Sequence, residues 1–172
     1  RIFQGVLKRH PGHPDALHLM GLTAYHEGDW GTAVKWIKKA ITAAPGNPAY
    51  HASLGLAFKA QGRLGEAARA LGRALAIHPD FADACFNLGT VLNLQGRPGE
   101  AVDHFKVTLR AMPDDADTHF NLGDSYRATG AAEMAATHYR RAVASRPDFA
   151  AAHYALAALP RDLVGLDEAL SS

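Results

Sequence analysis

Histidine and cysteine are the residues of this chain whose chemistry would suit a metal site or catalysis. The sequence has ten histidines and one cysteine, Cys85. His51, His119 and His153 are separated by multiples of 34 residues, with Cys85 in the same register. If equivalent side chains are spaced like packed helices, roughly 8–10 Å apart, they cannot share a zinc ion, whose ligands lie about 2 Å from the metal. We therefore expect packing or surface histidines, no metal site and no cofactor.

The other signatures of catalysis do not occur in the sequence. There is no P-loop, no dinucleotide-binding glycine motif and no nucleophile elbow. A single cysteine excludes an intrachain disulfide and a thiolate metal cage, and the register of Cys85 predicts a buried, inert thiol. We expect that the chain is not an enzyme.

The charge is balanced overall but uneven along the chain. The net charge is +1, yet residues 1–73 carry a net +6 and residues 74–172 a net −5. This gradient either orients a charged partner or is mere variation of the surface. Second helices carry many cations near their C-termini, where the helix dipole favours them; an outer surface for nucleic acid or anionic lipid is the less favoured interpretation.

No stretch approaches the ~20 apolar residues of a membrane span, and no signal-peptide pattern opens the chain. We expect a protein or peptide partner, no nucleic acid, no membrane insertion and a cytoplasmic location. The chain begins at Arg1, without Met and within a repeat. It therefore reads as a fragment from which a targeting segment is missing or was never present.

A 34-residue pattern organises the elements that would position any site. In residues 82–115 it consists of Leu88-Gly89, Gly96, Ala101, Phe105 and Pro113, and it recurs in both directions along the chain. Such a period indicates a solenoid of stacked helix pairs. We predict a single solenoid domain: the second helix of a truncated repeat (1–13), four full repeats (14–47, 48–81, 82–115 and 116–149), and a partial repeat with a capping helix (150–172).

Glycine and proline mark the helix ends within each repeat. Gly28, Gly62, Gly96 and Gly130 are predicted to end the first helices, and the repeat-ending prolines the second. A second set of glycines, including Gly55 and Gly123, lies within the first helices, where glycine costs roughly 1 kcal/mol relative to alanine. This recurrence predicts close helix–helix contact, with Ala at the facing position and Ile37, Leu71, Phe105 and Tyr139 in the core.

The pattern resembles the tetratricopeptide repeat (TPR) family, with a small residue at position 8, Ala at position 20 and Pro at position 32. It departs from the family at position 4, where His51, Cys85 and His119 replace a large aromatic residue, and at position 27, where Thr108 replaces Ala. We expect looser packing there. The resemblance implies an all-α, right-handed superhelical α-solenoid of antiparallel helix pairs, whose first helices line a concave, peptide-binding groove.

Mapping the sequence onto the family's positions gives the candidate groove residues. Position 5 holds the aromatic residues, which either recognise a partner or pack between helices. Position 6 holds two asparagines, which resemble the asparagine ladder of O-linked N-acetylglucosamine transferase and either grip a peptide backbone or simply face solvent. The complete set is Phe86, Asn87, Phe120, Asn121, Tyr154, Lys59, Asn93, Asp124 and Arg127.

The cationic clamp by which some family members hold a free carboxylate is missing, since Asp15, Asp83, His18 and Leu22 occupy its positions. We predict a scaffold that binds an extended peptide or protein segment in its groove. Two alternatives stay open. One is an accessory region of a larger bacterial glycosyl-, sulfo- or methyltransferase; the other is a scaffold that forms homo-oligomers through its exposed terminal helices.

Overall fold

The structure is a computed structural model that describes residues 2–160, with side chains from Gly5 onward. Within this range all regular secondary structure is α-helical, and no helix is long and apolar enough to cross a membrane. The predicted capping helix after Pro160 lies outside the described residues. The helices are α1 (Ile2–Arg9), α2 (Pro14–His26), α3 (Trp30–Ala43), α4 (Pro48–Ala60), α5 (Leu64–Ile77), α6 (Ala82–Leu94), α7 (Pro98–Ala111), α8 (Ala116–Ala128), α9 (Ala132–Ser145) and α10 (Ala150–Ala157).

The helix ends follow from backbone chemistry. Gly28, Gly62, Gly96 and Gly130 have φ values of 80°, 72°, 72° and 82°, in the left-handed region that glycine occupies without steric cost. Proline opens α2, α4 and α7, where a missing N–H breaks no helical hydrogen bond. The Asp115 carboxylate caps α8 by accepting from the Thr118 N–H at 2.8 Å. Helices of 13 and 14 residues therefore alternate from α2 to α9.

The chain divides after Val91 into two compact units. In the first unit α2 packs on α3 and α4 packs on α5, while α1 lies against α2. In the second unit α8 packs on α9, with α7 against α8 and α10 against α9. Each connection is only a few residues long, so consecutive helices run antiparallel.

The core of each helix pair depends on glycine in the first helix. A Cβ atom on Gly55 would lie 2.6 Å from Leu71 Cγ, and one on Gly123 would lie 2.6 Å from Tyr139 Cε1. Both distances are well inside normal carbon–carbon contact, which confirms the predicted close approach. The facing alanines and the large core residues are all fully buried: Ala33, Ala67, Ala101 and Ala135, with Ile37, Leu71, Phe105 and Tyr139.

The residues at position 4 hold the junctions between repeats. His51 Nε2 lies 2.9 Å from the Pro45 carbonyl oxygen, and His119 Nε2 lies 2.8 Å from that of Pro113. Because a carbonyl only accepts, these ring nitrogens carry the proton and donate. The expectation of looser packing at these histidines was wrong, since both rings are buried and each ties a first helix to the proline that ends the preceding repeat.

A histidine pair extends this arrangement in the second unit. His119 Nδ1 lies 3.0 Å from His138 Nδ1. Since His119 Nε2 bears a proton, Nδ1 of the neutral ring accepts and His138 donates. The His138 ring also stacks on Tyr126, with ring centroids 5.5 Å apart. Burial and the neighbouring His119 lower the pKa of His138 to about 4, so His138 is neutral at physiological pH.

Candidate functional site

The predicted groove residues lie on the first helices of the repeats. In the first unit Lys59 lies in the last turn of α4, and Phe86 and Asn87 lie on α6. In the second unit Asn93 lies in the last turn of α6, four candidates lie on α8, and Tyr154 lies on α10. The four on α8 are Phe120, Asn121, Asp124 and Arg127.

Four of the candidates meet at one pocket in the second unit, which we call the Tyr154 pocket. It has a volume of about 330 Å³. Tyr154 is 80% exposed beside it, so this ring contributes contact area that no part of the described chain uses. The pocket is lined by Phe120, Asp124 and Arg127 from α8 and by Ala151, Tyr154, Ala155 and Ala158 from α10 and its C-terminal end.

Tyr139 holds the polar side of the Tyr154 pocket in place from below. Its hydroxyl donates to Asp124 Oδ1 at 2.7 Å and accepts from Arg127 Nε at 3.1 Å. Arg127 Nη2 also donates to Asp124 Oδ1 at 3.3 Å. Burial, together with the hydrogen bond to Asp124, raises the pKa of Tyr139 to about 12. The phenol thus stays protonated, and the carboxylate and the guanidinium have fixed orientations at the pocket mouth.

Phe120 serves packing as well as the pocket. Its ring centroid lies 5.8 Å from that of Tyr139 and 5.1 Å from that of Phe149, distances typical of aromatic pairs. Arg146 covers the other partner, with its guanidinium carbon 4.0 Å from the Phe149 ring centroid. Phe120 therefore packs between helices and also lines the Tyr154 pocket, whereas Tyr154 is free of ring contacts among the described residues.

The two asparagines at position 6 already donate to their own helices. Asn87 Nδ2 donates to the Asp83 carbonyl and Asn121 Nδ2 to the Asp117 carbonyl, each at 2.8 Å. In the first unit Lys59 Nζ donates to Asn87 Oδ1 at 2.8 Å, and partial burial lowers the pKa of Lys59. Capture of a peptide backbone by both groups of these amides would require new side-chain rotamers.

Asn93 is also engaged within the second unit. Its Nδ2 donates to the Asn121 carbonyl at 3.3 Å, and its Oδ1 accepts from Ser125 Oγ at 3.0 Å. Asn93 therefore joins α6 to α8 and is less available to a partner than its position suggests. Ser125 and Tyr139 are the residues of this region that reasoning from sequence missed. A signal existed for Tyr139, because a buried hydroxyl needs a hydrogen-bond partner.

Residues 2–160 contain no cluster of three or more histidine, cysteine or carboxylate side chains that would hold a metal ion. Cys85 is buried, and its thiol lies 3.8 Å from the Pro79 carbonyl oxygen. His153 Nε2 makes the bond of His51 and His119, at 2.8 Å from the Pro147 carbonyl oxygen. The cysteine and the three histidines that share its register therefore have structural contacts.

Helix pairs that repeat every 34 residues define an α-solenoid of the helical-repeat class. Residues 1–48 and 53–116 match the tetratricopeptide repeat family, and residues 123–159 match the TPR repeat. The chain belongs to the tetratricopeptide repeat family, which confirms the family and the fold class predicted from sequence. No curated protein matches it.

Solved structures show the same fold. A crystal structure of MamA matches with a TM-score of 0.77 at 24% identity, over 84% of this chain and 85% of that one. The crystal structure of YrrB, described as a TPR protein with an unusual peptide-binding site, has a TM-score of 0.77 at 23% identity and covers 89% and 79%. MamA from Desulfovibrio magneticus RS-1, from residue 41 to its end, has a TM-score of 0.80 at 18% identity and covers 91% and 85%.

Proposed function

We propose that this chain is a non-enzymatic protein-interaction module that binds an extended partner segment across α8 and α10, with one apolar side chain in the Tyr154 pocket. The observation that carries the proposal is the 80% exposure of Tyr154 beside a concave, alanine-lined surface. A rigid aromatic ring buries much area on binding at little cost in conformational entropy. The described peptide-binding site of YrrB, which has the same fold, supports this class of partner.

The polar groups around the pocket suit a peptide backbone. Asp124 offers its second carboxylate oxygen to a backbone N–H, and Arg127 retains N–H groups for a carbonyl. Among the described residues no group donates to Asn121 Oδ1, so it is a further acceptor on the same helix face. These groups contact the backbone of the partner segment and do not distinguish between its side chains. They set the direction of the segment, and the pocket sets which side chain it presents.

The size of the pocket favours a peptide side chain over a buried cofactor. Small-molecule sites usually occupy about 300–1,000 Å³ and bury most of their ligand. The Tyr154 pocket, at about 330 Å³, lies at the lower end of that range and opens past an exposed ring. An aliphatic or aromatic side chain of a peptide, anchored by backbone contacts on either side, fits this geometry.

The experiment starts from peptides selected from a phage-displayed library on the folded protein. Affinities of one selected peptide are then measured by calorimetry for the wild type and for Tyr154→Ala. We expect at least a tenfold loss with an unchanged melting temperature, because so exposed a ring contributes little to packing. Asn121→Ala, which removes the acceptor but not the ring, should cause a smaller loss.

Met134→Ala is the matched control. Met134 lies on α9 and is 45% exposed, so this variant also removes an exposed apolar side chain, but one that does not line the pocket. Its affinity should equal that of the wild type. Equal affinities of Tyr154→Ala and Met134→Ala for every selected peptide would exclude the Tyr154 pocket as the binding site.

A further inference from the structure

A second concave surface lies in the first unit, where α3, α4 and α5 come together; we call it the α3–α5 cleft. Its volume is about 310 Å³. Its floor is apolar and buried, and its rim is cationic and exposed. The floor consists of Leu54, Phe58 and Ala70, and the rim consists of the cations Lys38, Arg69 and Arg73 together with the carboxylate Glu66.

The positive charge of this rim is not balanced within the unit. Arg63 and Glu66 neutralise each other through two hydrogen bonds of 2.5 and 2.6 Å. Over residues 2–160, by contrast, none of the three rim cations forms a salt bridge. The hydrogen bonds from Arg63, with the charges of Arg69 and Lys38, lower the pKa of the Glu66 carboxyl. Three unpaired cations therefore surround one apolar depression.

The helix pair itself does not require this charge. In the third repeat Asp103 stands at the position of Arg69, and Val107 stands at that of Arg73. In the fourth repeat Thr137 stands at the first of these positions. The third repeat thus builds the same packing without these two cations, although the fourth keeps Arg141 at the second position. In the first unit the mutual repulsion of the three cations is offset only in part by Glu66.

We propose that the α3–α5 cleft binds an acidic segment of a partner protein, with an aliphatic side chain on the floor and carboxylates on Lys38, Arg69 and Arg73. Charge complementarity identifies the acidic character of the segment, since the rim has three cations and a single carboxylate, Glu66, which already accepts from Arg63. Arginine also pairs well with planar carboxylates. The apolar floor identifies an aliphatic side chain, because contact with Leu54 and Ala70 would remove the apolar surface of such a side chain from water. This surface uses none of the residues of the Tyr154 pocket.

The aromatic residue of the cleft disfavours nucleic acid as the occupant. Single-stranded nucleic acids need exposed rings on which bases stack. Phe58 is only 4% exposed, and its ring already has the Arg63 guanidinium at 4.6 Å and Lys38 Nζ at 5.7 Å from the centroid. A lipid surface is disfavoured as well, because no large exposed apolar side chain lines the cleft for insertion.

The test measures fluorescence anisotropy with a labelled synthetic peptide in which one leucine is flanked on both sides by glutamates. We expect saturable binding that weakens as salt is added. The variant K38E/R69E/R73E should lose at least tenfold in affinity, and replacing the leucine of the peptide by serine should lose severalfold. The three cations are exposed, so circular dichroism should show an unchanged fold.

The control variant K106E/R110E/R141E changes the net charge by the same amount at three exposed cations that do not line the cleft. It should bind the peptide within about twofold of the wild type, and Tyr154→Ala should do the same. Equal losses of affinity in the two triple variants would show that binding depends on the net charge of the protein and not on the cleft, and would overturn the proposal. Tighter saturable binding of a single-stranded RNA or of anionic vesicles, or the absence of saturable peptide binding, would overturn it as well.

Discussion

Replacement of Gly123 by alanine tests whether helix–helix approach in the second unit depends on a missing side chain. The added Cβ would lie 2.6 Å from Tyr139 Cε1 and 2.7 Å from Cδ1. Carbon atoms prefer separations of about 3.5–4.0 Å, so the ring must move by roughly 1 Å. Tyr139 is fully buried and hydrogen-bonded to Asp124. It therefore cannot move without disturbing its surroundings.

Two opposing effects determine the magnitude. Alanine in place of glycine within a helix stabilises by about 1 kcal/mol. Overpacking costs about 1–3 kcal/mol, and a weakened hydrogen bond between Tyr139 and Asp124 costs about 1 kcal/mol more. Gly123→Ala should therefore destabilise the protein by about 1–3 kcal/mol.

Gly72→Ala is the matched control, because Gly72 also lies within a helix, α5, but a Cβ there meets nothing within 4 Å. This variant should stabilise by about 1 kcal/mol, so the two substitutions should differ by about 2–4 kcal/mol. Denaturant unfolding followed by circular dichroism gives the overall effect. Amide hydrogen exchange localises it, which matters because repeat arrays depart from two-state unfolding. Equal stabilisation by both variants would refute the reasoning about close approach.

Three further predictions concern single side chains. The pKa of His138 is lowered to about 4 from about 6.5 in the unfolded chain, so its contribution to stability is complete above pH 6.5 and is lost as the pH falls toward 4. The upper limit of this loss is about 3 kcal/mol, which the half exposure of the ring reduces to about 1–2 kcal/mol. His138→Gln should therefore make the free energy of unfolding less dependent on pH between 6.5 and 4 in a series of denaturation measurements. Tyr139→Phe should lower the free energy of unfolding by about 1 kcal/mol and, by releasing Asp124, weaken a selected peptide severalfold in calorimetry. Asp115→Ala removes the cap of α8 and should cost about 1 kcal/mol, with faster hydrogen exchange confined to its first turn; uniform acceleration across the unit would contradict this.

The helices were predictable because glycine and proline have strict backbone requirements. Gly62 and Gly96 adopt the positive φ that ends a first helix, and Pro98 opens α7. These requirements are local, so they are visible in the sequence. The core was predictable for a related reason: the recurrence of glycine opposite a large residue only makes sense where two helices approach closely.

The site was predictable only in part. The repeat register places Tyr154 on a first helix, but the degree of its exposure depends on the neighbours of α10, which no periodicity specifies. The contact of Phe120 with Phe149 depends in the same way on side-chain rotamers. The register of Tyr139 predicted its place in the core. Its hydrogen bonds to Asp124 and Arg127 connect α9 to α8, and they were not predictable because the sequence does not specify how these two helices are rotated relative to each other.

The bonds made at position 4 bear on how unfolding spreads along the chain. In a linear array each repeat is stabilised by its nearest neighbours, and the strength of each junction sets how many repeats melt together. Junctions closed by His51, His119 and His153 have N–H···O distances of 2.8–2.9 Å. At the equivalent position in the third repeat, the Cys85 thiol, a weak donor, lies 3.8 Å from the Pro79 carbonyl oxygen. Cooperativity should therefore be lowest between the second and third repeats, so that melting proceeds as two blocks that separate there.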